Sequence, residues 1–382
     1  MPLVRRHLVR RHLALLALLA PVLALGALLA PATRAAAADP LDYTTFVSLE
    51  EWGQPVSIAY SRGRFYVVLL NHDGRGGAVD SPLLEISGDG RRITPVPLPH
   101  VHGWDQDAER PFSVTVDGDG LLYLGTGRHI FQIDPIAGTG RRYTTFPALD
   151  ALLPPCPDAL RALQACGLTA YPSLTQTEPR GLYSTFGPHG EMYVADDNYN
   201  LVWRVPAGGG PARVWARADD ARLGFFGLYQ IAYDRKANAV RAALGVSTGP
   251  ASGLIGAGSV LTWPVTRSGA AGAAQVTWTS TPANGTYGIG IGRDGHLLTT
   301  GYLDSSMSLI DPQGVTEARI GDPLTRTEAV PLDNPSGLVW VGRYAYVANP
   351  SAHLNIAANR AILRVRTGLP AQRPYRPVGL GR

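Results

Sequence analysis

One phrase recurs along this chain: a hydrophobic strand that opens on a small or polar residue, a turn carrying Gly or Asp, and a second strand that ends in polar residues. Its six copies occupy 55–71, 111–125, 179–196, 228–246, 287–300 and 335–349. Repeats of roughly 50 residues built only from strands are typical of propellers and related radial arrays. The sequence therefore predicts an all-β, six-bladed β-propeller.

Each repeat continues into a third strand, and every repeat but the sixth continues into a fourth. After its third strand, at 361–367, the sixth repeat runs into a proline-rich end at 370–382. Proline cannot donate to a strand ladder, so this tail is a poor fourth strand. The segment 43–49 begins Tyr-Thr-Thr-Phe, as does the fourth strand of the second repeat at 143–149. We predict that 43–49 pairs with the outside of the last blade and closes the ring, which removes an exposed sheet edge.

The first 38 residues carry the order of a secretory signal peptide. Four arginines between positions 5 and 11 precede an apolar run at 13–29 and the small residues 35–38. We predict cleavage after Ala38 and secretion, with an uncleaved anchor as the alternative and either general or twin-arginine export. Removing the five arginines of 1–38 from a chain of net charge +4 leaves −1. The basic pI thus gives no reason to expect nucleic acid, or a membrane once the signal is removed, as a partner.

The mature chain is predicted to be one domain, 39–369, followed by the tail 370–382. An insertion at 147–177 interrupts the passage from the second to the third blade and contains a segment that reads as helical. Cys156 and Cys166 are the only cysteines. Because export exposes a chain to oxidising conditions, a disulfide that staples this insertion is expected, with two free structural thiols as the alternative.

The motif Pro-Arg-Gly-Leu at 179–182, followed by Gly-Glu-Met-Tyr-Val-Ala-Asp at 190–196, resembles the NHL-repeat propellers and the gluconolactonase/senescence-marker-protein family. The resemblance covers roughly 52–368 and implies the six-bladed fold. In the lactonases of that family it also implies a divalent metal at the ring centre, held by a Glu that opens blade one and by Asn or Asp before later strand starts.

Here those ligand positions are altered. Gln54 replaces the carboxylate of blade one, and the later positions are occupied by Phe112, Arg180, Tyr229, Tyr287 and Ser336. None of these is a good ligand for a hard cation. We therefore expect no cofactor and no metal at this place, although the resemblance leaves a divalent metal open.

In a propeller, the starts of the first strands and the loops between second and third strands meet around one mouth of the channel. The strand starts supply Gln54, Arg110, Glu178, Arg180, Tyr229, Tyr287 and Asn334. The loops supply Asn71, His72, Asp73, Arg128, His129, Asp196, Asp197, Asn198, Asp304 and Asn349. Such a set suits an anionic or polyhydroxylated small molecule, and the alternative is a polar plug that only fills the channel.

The interpretation we favour is a secreted, monomeric hydrolase that cleaves a lactone or ester of a small polar molecule. The catalytic candidates are Glu178, His72 and His129, and the substrate-binding candidates are Gln54, Arg110, Arg180, Tyr229, Tyr287 and Asn334. One alternative is a non-catalytic propeller that binds a ligand or a protein. Another is a lyase or condensing enzyme that resembles strictosidine synthase, with Glu178 as its acid/base.

Three further motifs have simple structural readings. His100 and His102, followed by Asp105, could hold a transition metal or lie in a solvated loop. The Asp-Gly-Asp-Gly segment at 117–120 is shorter than a calcium loop and predicts a hairpin turn. Asn284 begins the segment Asn-Gly-Thr, which matches the N-glycosylation sequon in sequence only.

Overall fold

Six antiparallel sheets of four strands each are arranged as the blades of a propeller. The computed structural model describes residues 41–70, 81–148, 179–218, 224–247, 257–282, 284–321 and 330–380. The predicted signal peptide, His72, Glu178 and both cysteines lie outside these residues, as does the predicted insertion from residue 149 onward. The predicted six-bladed all-β architecture is confirmed.

The innermost strands contact one another in a closed ring around the channel. They are β2 (Pro55–Ser61), β6 (Ser113–Val116), β10 (Gly181–Phe186), β14 (Gly224–Asp234), β18 (Thr286–Ile291) and β22 (Leu338–Val341). The second strands are β3 (Arg64–Leu69), β7 (Leu122–Gly125), β11 (Met192–Asp196), β15 (Ala239–Ser247), β19 (Leu297–Gly301) and β23 (Tyr344–Asn349). Each inner strand meets its second strand through a short turn, which places these turns on one face of the ring.

The outer half of every blade completes its sheet. The third strands are β4 (Leu83–Ser87), β8 (His129–Asp134), β12 (Leu201–Val205), β16 (Ala257–Pro264), β20 (Ser306–Ile310) and β24 (Ala361–Arg366). The fourth strands are β5 (Ile93–Pro95), β9 (Thr139–Thr145), β13 (Arg213–Arg217), β17 (Gln275–Pro282), β21 (Thr316–Ile320) and β1 (Tyr43–Ser48). A 3₁₀ helix at Ala357–Asn359 lies between β23 and β24. No helix in the described part of the chain is long and apolar enough to cross a bilayer.

The N-terminal strand closes the ring, as the sequence predicts. Strand β1 pairs antiparallel with β24, from Tyr43 opposite Val365 to Ser48 opposite Ala361, with a bulge between Thr45 and Val47. The sixth blade therefore takes three strands from the end of the chain and one from its beginning. The pairing covers the outer edge of β24 and gives this blade the same four strands as the other five.

Hydrophobic alternation in the strands fills the space between blades. Large side chains such as Trp203, Trp263 and Tyr193 are fully buried there, and Trp104 stacks on Phe131 with ring centroids 4.2 Å apart. The predicted hairpin turn at 117–120 is present. Asp117 accepts hydrogen bonds from the N–H groups of Asp119 and Leu121, both at 2.9 Å. This carboxylate thus shapes a turn.

Tyr183 crosses the channel. It lies on β10 in the third blade, yet its hydroxyl donates to the carbonyl of Val56 in the first blade at 2.9 Å and lies 3.3 Å from the hydroxyl of Tyr287 in the fifth. The first and third blades are not neighbours, so the side chain must span the ring. Tyr183 therefore separates the mouth at the strand starts from the rest of the channel.

The proline-rich end of the chain runs across the opposite face. Ala371 donates to the carbonyl of Gly342 at 2.7 Å, and Gln372 donates to the carbonyls of Ile291 and Tyr233. Further along, Gly118 donates to the carbonyl of Pro377 at 2.9 Å. Residues 370–380, which we call the tail strap, thus contact successive blades through scattered hydrogen bonds and one isolated antiparallel bridge, between Gly292 and Ala371, without adding a strand to any blade.

Candidate functional site

The mouth of the channel contains a buried ion pair between Arg180 and Asp197. Arg180 directly precedes β10, and Asp197 directly follows β11 in the same blade. The Arg180 Nη1 atom lies 3.0 Å from Asp197 Oδ2, and the two side chains are 14% and 2% exposed. Adjacent strands of one sheet therefore bring together two residues that are 17 positions apart in sequence.

The two neighbouring carboxylates, Asp196 and Asp197, have different surroundings. Asp196 accepts four hydrogen bonds, from the backbone N–H groups of Arg180, Asn198 and Tyr199 and from the indole of Trp203 at 2.8 Å. Asp197 Oδ1, by contrast, is buried and has no hydrogen-bond partner among the described residues. Asp196 therefore builds the loop, whereas Asp197 keeps an acceptor available for another molecule.

Burial raises the pKa of Asp197 to about 7, with the nearby Arg180 guanidinium opposing the rise and the Asp196 carboxylate adding to it. The pKa of Asp196 is also raised by burial, to about 6, against four hydrogen bonds that favour its charged form. A carboxyl group that titrates near neutrality can both accept and return a proton at working pH. Among the described residues of the mouth, Asp197 combines this property with an unused oxygen.

Gly227 allows this loop to pack against the next blade. A Cβ atom built at position 227 would lie 2.0 Å from the Asp197 carbonyl oxygen and 2.6 Å from Asn200 Oδ1. Any other residue there would push β14 away from the loop that carries Asp197. The glycine thus fixes the distance between the third and fourth blades at the mouth.

Aromatic rings form the rest of this end of the channel. Tyr229 and Tyr287 stack with centroids 4.2 Å apart, and Tyr287 stacks on Tyr302 at 5.4 Å. On the other side, the Arg180 guanidinium lies 5.3 Å from the centre of the Phe112 ring. Tyr229 and Tyr287 are buried, while Phe112 and Tyr302 are half-buried.

The structure brings together part of the predicted set. Tyr229 and Tyr287 stack on each other, and Arg180 connects to them through the rings of Phe112 and Tyr183. Asn334 joins this cluster by donating to the carbonyl of Tyr302 at 2.6 Å. Asn334 itself is fully buried at a φ of 58°, so its side chain holds the loop. Gln54 is buried where β2 begins, and Arg110 is exposed on the crossover before β6.

His129 lies apart from this cluster, between the first and second blades. Its Nδ1 atom is 2.9 Å from the Thr145 hydroxyl, and its Nε2 atom is 3.4 Å from a Glu109 carboxylate oxygen. Burial, with Arg142 and Arg128 nearby, lowers the pKa of His129 to about 4. The imidazole is therefore neutral at pH 7, and no contact in the described region links it to Asp197.

The metal implied by the family resemblance does not fit the described mouth. The cation Arg180 occupies one of the ligand positions and already pairs with the Asp197 carboxylate, while stacked tyrosines occupy two others. A second positive charge beside that guanidinium would be repelled. Within the described ranges, no group of three or more His, Cys, Asp or Glu side chains is placed to hold a metal ion.

The remaining motifs have structural roles. His100 and His102 are exposed in the crossover loop, and Asp105 accepts the N–H groups of Asp107 and Ala108 within that turn. Asn284 is 1% exposed, and its amide donates to Asp304 and Ser306. This burial makes the sequon inaccessible to glycosylation.

The sequence identifies Asp197 as a loop residue but does not distinguish it from its neighbours. What separates Asp196 from Asp197 is which carboxylate accepts hydrogen bonds from backbone N–H groups. Two adjacent aspartates in a sequence do not show which of them will do so. The only available signal is its position, directly after a second strand and opposite an arginine at a first-strand start. This position identifies the loop of the propeller in which a functional residue could lie, but it does not identify the residue.

No family model matches the sequence, and no curated protein matches it significantly. In structure, the chain is similar to regucalcin from Agrobacterium tumefaciens strain C58, described as a calcium-binding protein, with 13% identity and a TM-score of 0.56 over 88% of this chain and 97% of that one. It is also similar to XC5397 from Xanthomonas campestris, described as a gluconolactonase, with 13% identity and a TM-score of 0.53 over 87% and 95% of the two chains.

A third similar structure is virginiamycin B lyase from Staphylococcus aureus, with 16% identity and a TM-score of 0.51 over 85% of this chain and 98% of that one. These neighbours confirm the resemblance to gluconolactonase-type six-bladed propellers at the level of the fold. Because identities are this low, the shared fold does not by itself assign a reaction.

Proposed function

We propose that this protein is a hydrolase that opens a lactone or ester of a small polar molecule at the mouth of the propeller. The observation that carries the proposal is the state of Asp197: a buried carboxyl with a pKa of about 7, one oxygen paired with Arg180 and the other without a partner among the described residues. Perturbed carboxyl groups in clefts are typical of acid/base catalysis.

The proposed reaction uses Asp197 to move one proton. The ionised carboxylate takes a proton from water as the water oxygen bonds to the substrate carbonyl carbon. The tetrahedral intermediate then collapses, the carbon–oxygen bond to the alcohol breaks, and Asp197 returns the proton to that alcohol oxygen. The product is a hydroxy acid from a lactone, or an acid and an alcohol from an ester.

Arg180 supports this reaction by its charge. A fixed cation beside the site stabilises the negative charge that develops on the carbonyl oxygen. The same guanidinium holds part of the Asp197 population in its ionised form, because it opposes the effect of burial on the pKa. One residue thus favours both the active form of the base and the intermediate.

The lining of the mouth favours a small, polyhydroxylated or anionic substrate. The half-buried faces of Phe112 and Tyr302 can cover the C–H faces of a sugar-like ring, while Arg180 and the exposed Arg110 attract negative charge. Gln54 remains a proposed orienting residue, whereas both polar atoms of the Asn334 side chain already bond to the protein, so Asn334 acts by holding the loop. Glu178 and His72 remain proposed proton carriers, and His129 is proposed only for a substrate that reaches the second blade.

We also propose that the chain is exported and acts as a monomer without a cofactor. The arginine-rich, apolar and small-residue order of the first 38 positions supports export. The Arg180 cation at the mouth supports catalysis without a central metal. Metal analysis of the purified protein checks this point, since stoichiometric calcium or zinc with chelator-sensitive turnover would contradict it.

The test is turnover of a panel of sugar lactones and simple esters by the wild type and by Asp197→Asn. The amide keeps the size of the carboxylate and can still accept from Arg180, but it cannot take up a proton. We expect kcat/KM to fall by about 100-fold or more. Asp42→Asn, at an exposed aspartate, is the matched control and keeps full turnover.

The alternatives give different results. A non-catalytic propeller binds members of the panel without converting them, and neither variant changes this. A lyase converts a substrate without incorporating oxygen from labelled water, whereas the proposed hydrolysis incorporates one such oxygen into the acid product. Equal turnover by the wild type and Asp197→Asn would remove Asp197 from the mechanism.

A further inference from the structure

A cavity lies in the channel beneath Tyr183, on the side away from the mouth. Its volume is about 150 Å³, and all six inner strands line it. Apolar side chains make most of the wall, among them Ile58, Val114, Ile231, Ile289 and Leu338. A cavity of roughly this size can hold a molecule as large as benzene. We call this cavity the lower chamber.

The tail strap forms the floor of the lower chamber. Gln372, Pro374, Tyr375 and Arg376 line it. Gln372 is fixed by three hydrogen bonds: its side chain donates to the carbonyl of Tyr233 at 2.7 Å and accepts the N–H of Arg235 at 2.9 Å, and its own N–H donates to the carbonyl of Ile291. The Arg235 guanidinium also lies 4.3 Å from the centre of the Tyr375 ring. The floor is therefore a positioned part of the fold.

The lower chamber has an unbalanced charge. Apart from tyrosines, Arg376 is the one ionisable residue among the described residues that line the chamber. None of these lining residues is an aspartate or a glutamate. A single Nη2 hydrogen bond, to the carbonyl of Tyr60, is the side-chain contact that the structure gives this guanidinium. Burial lowers the pKa of Arg376. A half-buried cation without a counter-charge is costly, so an anion in the chamber would be favoured.

The hydroxyl groups of the wall are largely committed to one another. Thr115 donates to the carbonyl of Ser184 at 2.8 Å, and the Ser184 hydroxyl lies 2.9 Å from Thr115 Oγ1. Ser57 Oγ accepts the N–H of Val114 at 3.2 Å. A ligand would thus find one cation at the floor and apolar walls above it. Multiple charges or many hydroxyls on the ligand would lack partners here.

We propose that the lower chamber binds a small aliphatic monocarboxylate, with its carboxylate on Arg376 and its short apolar chain between the isoleucine and leucine side chains. A guanidinium matches a carboxylate through two parallel N–H···O hydrogen bonds. A volume of about 150 Å³ has room for a ligand of about six heavy atoms, as in butyrate. This site does not depend on the activity proposed for the mouth, because Tyr183 separates the two.

The experiment is isothermal titration of the full protein with sodium butyrate, with sodium chloride and inorganic phosphate as comparison anions. We expect butyrate to bind at one site and to bind more tightly than either comparison anion. Arg376→Gln should weaken butyrate binding at least tenfold. The matched control is Arg373→Gln, three residues earlier on the tail strap, where the side chain is exposed and does not line the chamber.

Two further measurements keep the outcome clear. Circular dichroism melting shows whether Arg376→Gln folds, and Arg376→Lys, which keeps the charge but loses the paired N–H geometry, should bind with intermediate affinity. No butyrate binding by the folded wild type would overturn the proposal. So would a loss of binding in Arg180→Gln but not in Arg376→Gln, which would place the anion at the mouth. Binding of chloride or phosphate as tight as that of butyrate would also contradict it.

Discussion

The guanidinium of Arg180 lies 3.0 Å from Asp197 Oδ2 and leaves Asp197 Oδ1 buried without a hydrogen-bond partner in the described part of the chain. This half-satisfied carboxylate sits where the strands of the third blade open onto the mouth. Its surroundings keep its pKa near neutrality, because burial and the cation act in opposite directions. The relationship has consequences for both stability and catalysis.

The first consequence is a loss of stability as the pH rises from 6 to 8. The pKa of Asp197 is about 7 in the folded protein and about 4 in an unfolded chain, so the folded state holds more protons between these values. Stability therefore falls as pH rises through this window. We expect the melting temperature to drop from pH 6 to pH 8, and to drop less in Asp197→Asn.

Thermal melts at several pH values check this. Asp196, with a pKa of about 6, adds a smaller loss in the lower part of the window. The depressed pKa of His129 acts mainly below pH 6.5, so it contributes little here. Asp42→Asn should show the same drop as the wild type. An equal drop in Asp197→Asn would mean that Asp197 does not titrate in this range.

A second prediction concerns Arg180→Gln. Removing the cation takes away the charge that opposes burial, so the pKa of Asp197 should rise further. The pH at which hydrolysis reaches half of its maximum should therefore move upward. The variant should also be less stable by about 3 to 5 kcal/mol, as is typical when one partner of a buried ion pair is lost. Rate profiles and urea unfolding measure the two effects, and an unchanged midpoint would contradict the first.

The N-terminal strand should be essential to the domain. Leu49, at the end of β1, is fully buried, so Leu49→Ala should lower the free energy of unfolding by about 2 to 5 kcal/mol. Leu354→Ala, at a leucine that is 46% exposed, should change it by less than about 0.5 kcal/mol. Deleting residues 39–50 should abolish cooperative unfolding. A deletion variant that melts like the full chain would show that ring closure is dispensable.

The hydroxyl of Tyr183 should stabilise the channel by one hydrogen bond. Tyr183→Phe removes the donor to the Val56 carbonyl, and we expect a loss of about 1 kcal/mol in the free energy of unfolding. Tyr344→Phe, at a tyrosine that is 40% exposed, is the control and should be neutral. Denaturant unfolding measures both variants. Equal stability of the two would mean that the hydroxyl finds an equivalent partner in water.

The architecture could be predicted because it depends on patterns that repeat. Alternating hydrophobic strands and glycine turns recur six times, and the likeness of 43–49 to 143–149 locates the missing strand before any contact is known. Strand β1 forms as expected. The path of the tail strap could not be predicted in this way, because scattered hydrogen bonds to several blades leave no periodic pattern in the sequence.

The candidate site could be predicted only in outline. The strand starts and loops select a mouth, and Arg180, Tyr229 and Tyr287 do meet there. Asn334, however, is used to hold a loop. Asp196 is left with no free acceptor because four N–H groups bond to it, and Gly227 lets the next blade pack closely against Asp197. Together these contacts decide that Asp197, and not Asp196, keeps an oxygen without a hydrogen bond. These are properties of packing.

The pH dependence of kcat/KM between pH 5 and 9, for the fastest lactone or ester, tests the central claim most directly. The free enzyme needs ionised Asp197, so kcat/KM should rise with pH, reach half of its maximum near pH 7 and then level off. Asp197→Asn should show a low rate without this rise. A wild-type profile that is flat across this range, or a rise near pH 7 that persists in Asp197→Asn, would contradict the account.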